Sequence, residues 1–134
     1  MKLLRDIQTR HMLTVSPTDS LHHAARLMTD RDVGSAVVVD SEKVAGIVTE
    51  RDILRAAGKG VDFRGTRVAD VMTTDVTSGE PGWDVITAVK TMTEGGFRHL
   101  LIVDADDDPV GIVSVRDLMQ TMVAMVQDGG SPST

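Results

Sequence analysis

The chain is written twice. Asp6-Ile7 returns as Asp70-Val71, 64 residues later, and the offset then holds. Pro17 matches Pro81, Ala24 matches Ala88, Met28-Thr29 matches Met92-Thr93, and Val39-Asp40 matches Val103-Asp104. The following turn gains one residue. Beyond it, Gly46-Ile47-Val48-Thr49-Glu50-Arg51-Asp52 matches Gly111-Ile112-Val113-Ser114-Val115-Arg116-Asp117 at an offset of 65. A duplication that fills most of 134 residues leaves few folds open. Two copies of one small unit are expected to bury their apolar faces against each other. The groove between them is then the natural seat of function.

Each copy reads as short helix, strand, helix, strand, strand, helix. Leu21, Ala24, Ala25 and Met28 recur at helical spacing, and Thr18, Asp19 or Ser20 can cap that helix. Residues 35–39 form an apolar, β-branched run, 40–43 a polar turn, and 44–49 a second strand, together a hairpin. Residues 50–57 then read as a helix that Gly58 stops. Copy two predicts a helix over 84–94, a Gly95-Gly96 stop, strands over 99–103 and 110–114, and a helix over 115–127. The glycines and charges of 58–65 forbid a regular element. The expected division is copy one at 1–60, linker at 61–65 and copy two at 66–127. Residues 128–134, a Gly/Ser/Pro tail, are expected to be disordered.

The last helix is over-apolar. Val115, Leu118, Met119, Met122, Val123, Met125 and Val126 cover more than one face, whereas a surface helix needs one stripe. The second face must be buried in the chain or meet another chain, and methionine suits an adaptable contact.

Composition excludes several classes. The chain has no cysteine, so it has no disulfide, thiolate metal site or cysteine nucleophile. His22-His23 are sequence neighbours that point apart on a helix, so no metal site is expected there. Net charge is −6 and aromatic content 2%, which argues against phosphate-driven or stacking-driven nucleic-acid binding. No apolar run reaches the roughly 18 residues a membrane span needs. The first residues show no signal-peptide pattern, so a cytoplasmic location is expected. Walker, Gly-x-Ser-x-Gly and His-Glu-x-x-His motifs are all missing from the sequence, so an enzyme is not expected.

The strongest local pattern is an apolar strand, then Thr or Ser, two residues, and Asp at a helix start. Thr49 with Asp52 and Ser114 with Asp117 carry it. This spacing is also that of a capping box. The same geometry suits a ligand. A carboxylate accepts from two neighbouring hydroxyls, as a ribose diol offers them. Free N–H groups at a helix start favour an anion. Both roles can coexist in one residue.

The duplication, the two Gly-Ile-Val-Thr/Ser-x-x-Asp segments and Asp70-Val71-Met72-Thr73 resemble a pair of cystathionine-β-synthase (CBS) domains over about residues 4–127. The resemblance implies an α/β (α+β) fold, a Bateman module of two βαββα repeats packed with pseudo-twofold symmetry. It implies two clefts for an adenosine-containing ligand, either an adenine nucleotide or S-adenosylmethionine, and an energy-sensing or related regulatory role. No other cofactor is required. It further implies a homodimer and an unidentified regulated partner. By the same resemblance, Asp52 and Asp117 hold ribose hydroxyls, and Thr49 and Ser114 bond ribose or phosphate. Arg98-His99 match the family's phosphate-contacting basic pair, where copy one has Gly34-Ser35. The pair of one copy is expected to serve the ligand of the other copy's carboxylate. Arg51 and Arg116 are weaker candidates, as exposed helix arginines. Asp106, Asp107 and Asp108 read as a solvated hairpin tip, and Trp83 as a packing residue. The rival reading is an interaction module whose motifs are only capping boxes.

Overall fold

The computed structural model describes residues 2–7 and 12–127. The tail expected to be disordered, 128–134, lies outside the described residues. In chain order the elements are α1 (Leu4–Ile7), β1 (Thr14–Val15), α2 (Leu21–Arg31), β2 (Ser35–Asp40), β3 (Lys43–Thr49) and α3 (Glu50–Gly58). A 3₁₀ turn follows at Val68–Asp70, then β4 (Ser78–Gly79), α4 (Val85–Gly95), β5 (His99–Val103), β6 (Pro109–Ser114) and α5 (Val115–Gln127). Each half is a βαββα unit with one three-stranded sheet, ordered β1-β2-β3 or β4-β5-β6. The short first strand lies parallel to the second across a helical crossover, and the hairpin is antiparallel. Both hairpins break register at matching places, Val38/Val39 and Ile102/Val103.

The packing boundaries differ from the repeat boundaries. One compact unit is Met12–Val76; the other joins Met1–His11 to Thr77–Thr134. The cause is two short lead-in segments. Val68, at the head of copy two, is fully buried in the core of Leu21, Ala24, Met28, Val38 and Val48. Leu4, at the head of copy one, is fully buried among Val85, Ala88, Met92, Ile102 and Val113. The backbone bonds that seat them correspond: Val68 N donates to Asp19 O at 2.8 Å and Leu4 N to Trp83 O at 2.8 Å. Burying each such side chain contributes about 1.5–3 kcal/mol. Residues 61–65 also pack into the first unit, where His22 N donates to Phe63 O at 3.0 Å. Phe63 and Val61 close that core.

Helix ends show where the sequence expectation slips. Gly58 is still helical, and the left-handed residue is Gly60, at φ 73°. Val61 N then donates to Ala56 O at 3.1 Å, so the chain turns two residues later than expected. Gly96 ends α4 as expected, with φ 72°. At the matching place after α2 stands Asp32, at φ 53°, a backbone conformation that costs most L-residues energy.

Candidate functional site

In the first unit the site is built where β3 runs into α3. Thr49 is the last strand residue and the N-cap of α3. Asp52 Oδ2 accepts from Thr49 N at 2.9 Å and from Thr49 Oγ1 at 3.2 Å, and Asp52 N donates to Thr49 Oγ1 at 3.3 Å. The box satisfies N–H groups that a helix start leaves open. Glu50 N donates to Gly34 O at 2.9 Å, and Ser35 pairs with Thr49 across the ladder. Gly34-Ser35, Thr49 and Asp52 thus share one edge.

A further residue reaches this carboxylate. Thr73 Oγ1 lies 3.3 Å from both Asp52 Oδ1 and Asp52 Oδ2. Thr73 is held there by paired backbone bonds with Ile47, at 2.8 and 2.9 Å. The segment crosses so closely that a Cβ on Gly46 would stand 2.6 Å from Thr73 O. Gly46 is therefore glycine because backbone passes over it. Asp52 is left only 8% exposed.

The second unit repeats the box. Asp117 Oδ2 accepts from Ser114 N at 2.8 Å and Ser114 Oγ at 2.9 Å, and Asp117 N donates to Ser114 Oγ at 3.1 Å. Val115 N donates to Arg98 O at 2.9 Å, and His99 pairs with Ser114 across the ladder. Arg98 is exposed, while His99 and Asp117 are half-buried. Among the described residues no hydroxyl beyond that of Ser114 reaches the Asp117 carboxylate. The sequence counterpart of Thr73 is Thr9, which lies outside the described residues.

The structure therefore brings Thr49 to Asp52 and Ser114 to Asp117, with Arg98 and His99 beside the second pair's helix start. Arg51 and Arg116 are both exposed in the first turns of α3 and α5. Thr73 is the residue that sequence reading missed. Its signal was present, because Asp70-Val71-Met72-Thr73 repeats as Asp6-Ile7-Gln8-Thr9. Chemically, each site offers a carboxylate acceptor, a hydroxyl and a helix N-terminus, a set able to hold a diol beside an anion.

The other candidates fall into structural roles. Asp104 Oδ1 accepts from Asp106 N at 2.9 Å and Asp108 N at 3.0 Å, closing the β5–β6 loop. Asp104 is half-buried, and its acidic neighbours Asp106 and Asp108 are exposed. Trp83 packs on the second core. No helix among the described residues is long and apolar enough to cross a membrane.

The CBS domain pattern matches residues 4–59 and again 68–124. This chain belongs to the CBS domain family. It is 38% identical over 119 residues to the CBS domain-containing protein YhcV of Bacillus subtilis, covering 88% of this chain and 84% of that one. The CBS domain pair of MJ0100, solved with 5′-methylthioadenosine and S-adenosyl-L-methionine, superposes with a TM-score of 0.84. It is 22% identical, over 92% of this chain and 97% of that one. The CBS domain protein PAE2072 of Pyrobaculum aerophilum, complexed with AMP, gives a TM-score of 0.80. It is 20% identical, over 92% of this chain and 99% of that one. These two likenesses establish the tandem fold of this CBS pair.

Proposed function

We propose that this CBS pair is a regulatory module that binds an adenosine-containing ligand and passes a conformational change to a partner protein. The ligand is an adenine nucleotide or S-adenosylmethionine. The observation that carries the reading is the repeated carboxylate: Asp52 and Asp117 sit at the same strand-to-helix step of two units, each beside a hydroxyl. Asp52 and Asp117 take ribose hydroxyls, and Thr49 and Ser114 bond ribose or phosphate. Arg98 and His99 take phosphate, with Arg51 and Arg116 as weaker contributors. MJ0100 and PAE2072, which share the fold, were solved with ligands of this class. A ligand moves the partner because it stabilises whichever arrangement it binds better.

The module works as a homodimer in this reading. Val115 and Met122 pack on the second core, while Met119, Val123 and Val126 remain 61%, 55% and 59% exposed. Leu54, the counterpart of Met119 in α3, is 72% exposed. Apolar positions that recur on both terminal helices suit a symmetric interface.

A second reading rests on the closed capping boxes. Each carboxylate already stabilises its own helix start, so the pair would serve as an interaction module without a small molecule. A thermal-shift panel of adenosine, AMP, ADP, ATP and S-adenosylmethionine separates the two, with light scattering run on the same samples. A binder is stabilised by RT ln(1 + [L]/Kd). A flat panel favours the interaction module.

A further inference from the structure

Asp52 has a competitor built into its own unit. Three segments converge on this carboxylate: the end of β3 through Thr49, the first turn of α3 through Asp52 itself, and the crossing segment through Thr73. Two of the three belong to the capping box. The Thr73 contact does not, because Thr73 stands 21 residues away in sequence and caps nothing in α3. Its equal distances of 3.3 Å to Oδ1 and Oδ2 put Oγ1 on the plane that bisects the carboxylate. A ribose diol that gives one hydroxyl to each oxygen must approach across that same bisecting plane. Thr73 Oγ1 and the diol are donors of one kind competing for one acceptor.

We infer that the Thr73 hydroxyl is an internal stand-in for a ligand hydroxyl, which occupies Asp52 in the empty site and yields when a vicinal diol binds. This rests on Asp52 being a ribose contact. Burial explains why a stand-in is needed. At 8% exposure water reaches the carboxylate poorly; both Thr49 donors fall on Oδ2, so Thr73 is the described donor to Oδ1, and a buried acceptor without a donor is destabilising. The length of the bond explains why the stand-in can leave. A hydroxyl-to-carboxylate bond at full strength is about 2.5–2.7 Å, and 3.3 Å shared between two oxygens is far weaker. The backbone does not have to move with the hydroxyl. Thr73 stays paired with Ile47 through main-chain bonds, so a rotation about χ1 is enough to clear the carboxylate. The consequence is selectivity. A ligand with one hydroxyl repays the displaced Thr73 donor only once, whereas a diol repays it and adds a second bond.

The test uses the full chain carrying Asp117→Ala, which leaves the Asp52 site to be titrated alone. Calorimetry with adenosine is compared across Thr73, Thr73→Val and Thr73→Ser. Removing the competitor should lower Kd roughly two- to fivefold in Thr73→Val. Thr73→Ser keeps the hydroxyl and should stay near the parent. The gain should be the same for 2′-deoxyadenosine, because one ligand hydroxyl displaces Thr73 as two do. Thr73→Ala removes the same hydroxyl and carries the same expectation should the valine variant fold poorly. A merely structural Thr73 would leave affinity unchanged or weaken it, and either result, with adenosine still dependent on Asp52, overturns the stand-in alone. Adenosine that fails to bind the unmutated chain, or binds it equally after Asp52→Ala, overturns the proposed function and the stand-in together.

Discussion

Asp52 and Asp117 occupy the same step of two copies of one unit, and their surroundings differ. Asp52 is buried, held by Thr49 and faced by Thr73. Asp117 is half-buried, and its described side-chain bonds all fall on Oδ2. The basic residues are distributed unequally too: Arg98-His99 lead into β5, while Gly34-Ser35 lead into β2. Duplication has kept the helix start and altered what reaches it. The lesson is that capping fixes the motif's geometry, while residues from outside the motif decide what reaches each carboxylate.

The largest effect that can break this comparison concerns phosphate. Asp52→Ala and Asp117→Ala should each weaken nucleotide binding, by roughly 1.5–3 kcal/mol for a hydrogen bond to a charged group. Arg98→Ala should weaken AMP binding by a similar amount and adenosine binding far less, because guanidinium is suited to phosphate. A coupling cycle then decides which carboxylate shares its ligand with Arg98. Non-additivity of Arg98→Ala with Asp52→Ala would assign Arg98 to the ligand of Asp52, and non-additivity with Asp117→Ala would assign it to the ligand of Asp117. The same cycle bears on Thr73. A phosphate contact outweighs one long hydroxyl bond, so AMP should favour whichever carboxylate couples to Arg98, even where Thr73 opposes it. Adenosine, without phosphate, should lose that preference. Equal losses for AMP and adenosine in Arg98→Ala would remove the asymmetry.

A smaller effect separates the two second-helix ends. Gly96 and Asp32 hold the same left-handed place, at φ 72° and 53°. The chain is open around Gly96, with nothing within 4 Å of an added Cβ, so any substitution cost there is conformational. Asp32→Gly should stabilise the protein by about 1 kcal/mol, and Gly96→Asp should destabilise it by a similar amount. Urea midpoints measure both. Matching destabilisation by the two variants would mean that the Asp32 side chain contributes something its backbone strain hides.

These positions also show what the sequence makes legible. The βαββα order, the hairpins and the Thr49–Asp52 and Ser114–Asp117 boxes depend on neighbours within a few residues, and repetition doubled each signal. The exchange of Leu4 and Val68 into the other repeat's core was not legible. A buried apolar residue carries no mark of which core it enters. The Thr73–Asp52 contact spans 21 residues and depends on a backbone crossing that Gly46 and the repeated Asp70-Val71-Met72-Thr73 segment hint at without naming the partner. The late stop at Gly60 turns on a helix end, where glycines two apart give nearly the same local signal. Long-range partners were missed, and local geometry was read correctly except at the end of α3.

The smallest expected difference lies at the starts of α2 and α4. Ser20 caps α2 by accepting from His23 N at 3.0 Å, and Asp84, its counterpart, caps α4 by accepting from Thr87 N at 2.7 Å. Only the second cap can titrate. The backbone bond from Thr87, helped by that residue's side chain, holds the Asp84 carboxyl below its ordinary value of 3.8. A lowered folded value means that the unfolded chain takes up the proton first. The stabilisation is therefore complete above the ordinary value and is lost as pH falls through the lowered one. Asp84→Ser would give α4 the cap that α2 already has, and serine does not ionise in this range. Stability should be followed for both proteins from about pH 6 to about pH 2, since all other carboxylates titrate in both and cancel in the difference. The advantage of the parent over Asp84→Ser should be greatest at the upper end, where the charged cap also meets the positive helix start. It should shrink only below the ordinary value. A difference that stays flat across the range would mean that the two caps are equivalent and that the charge of Asp84 contributes nothing to the second half.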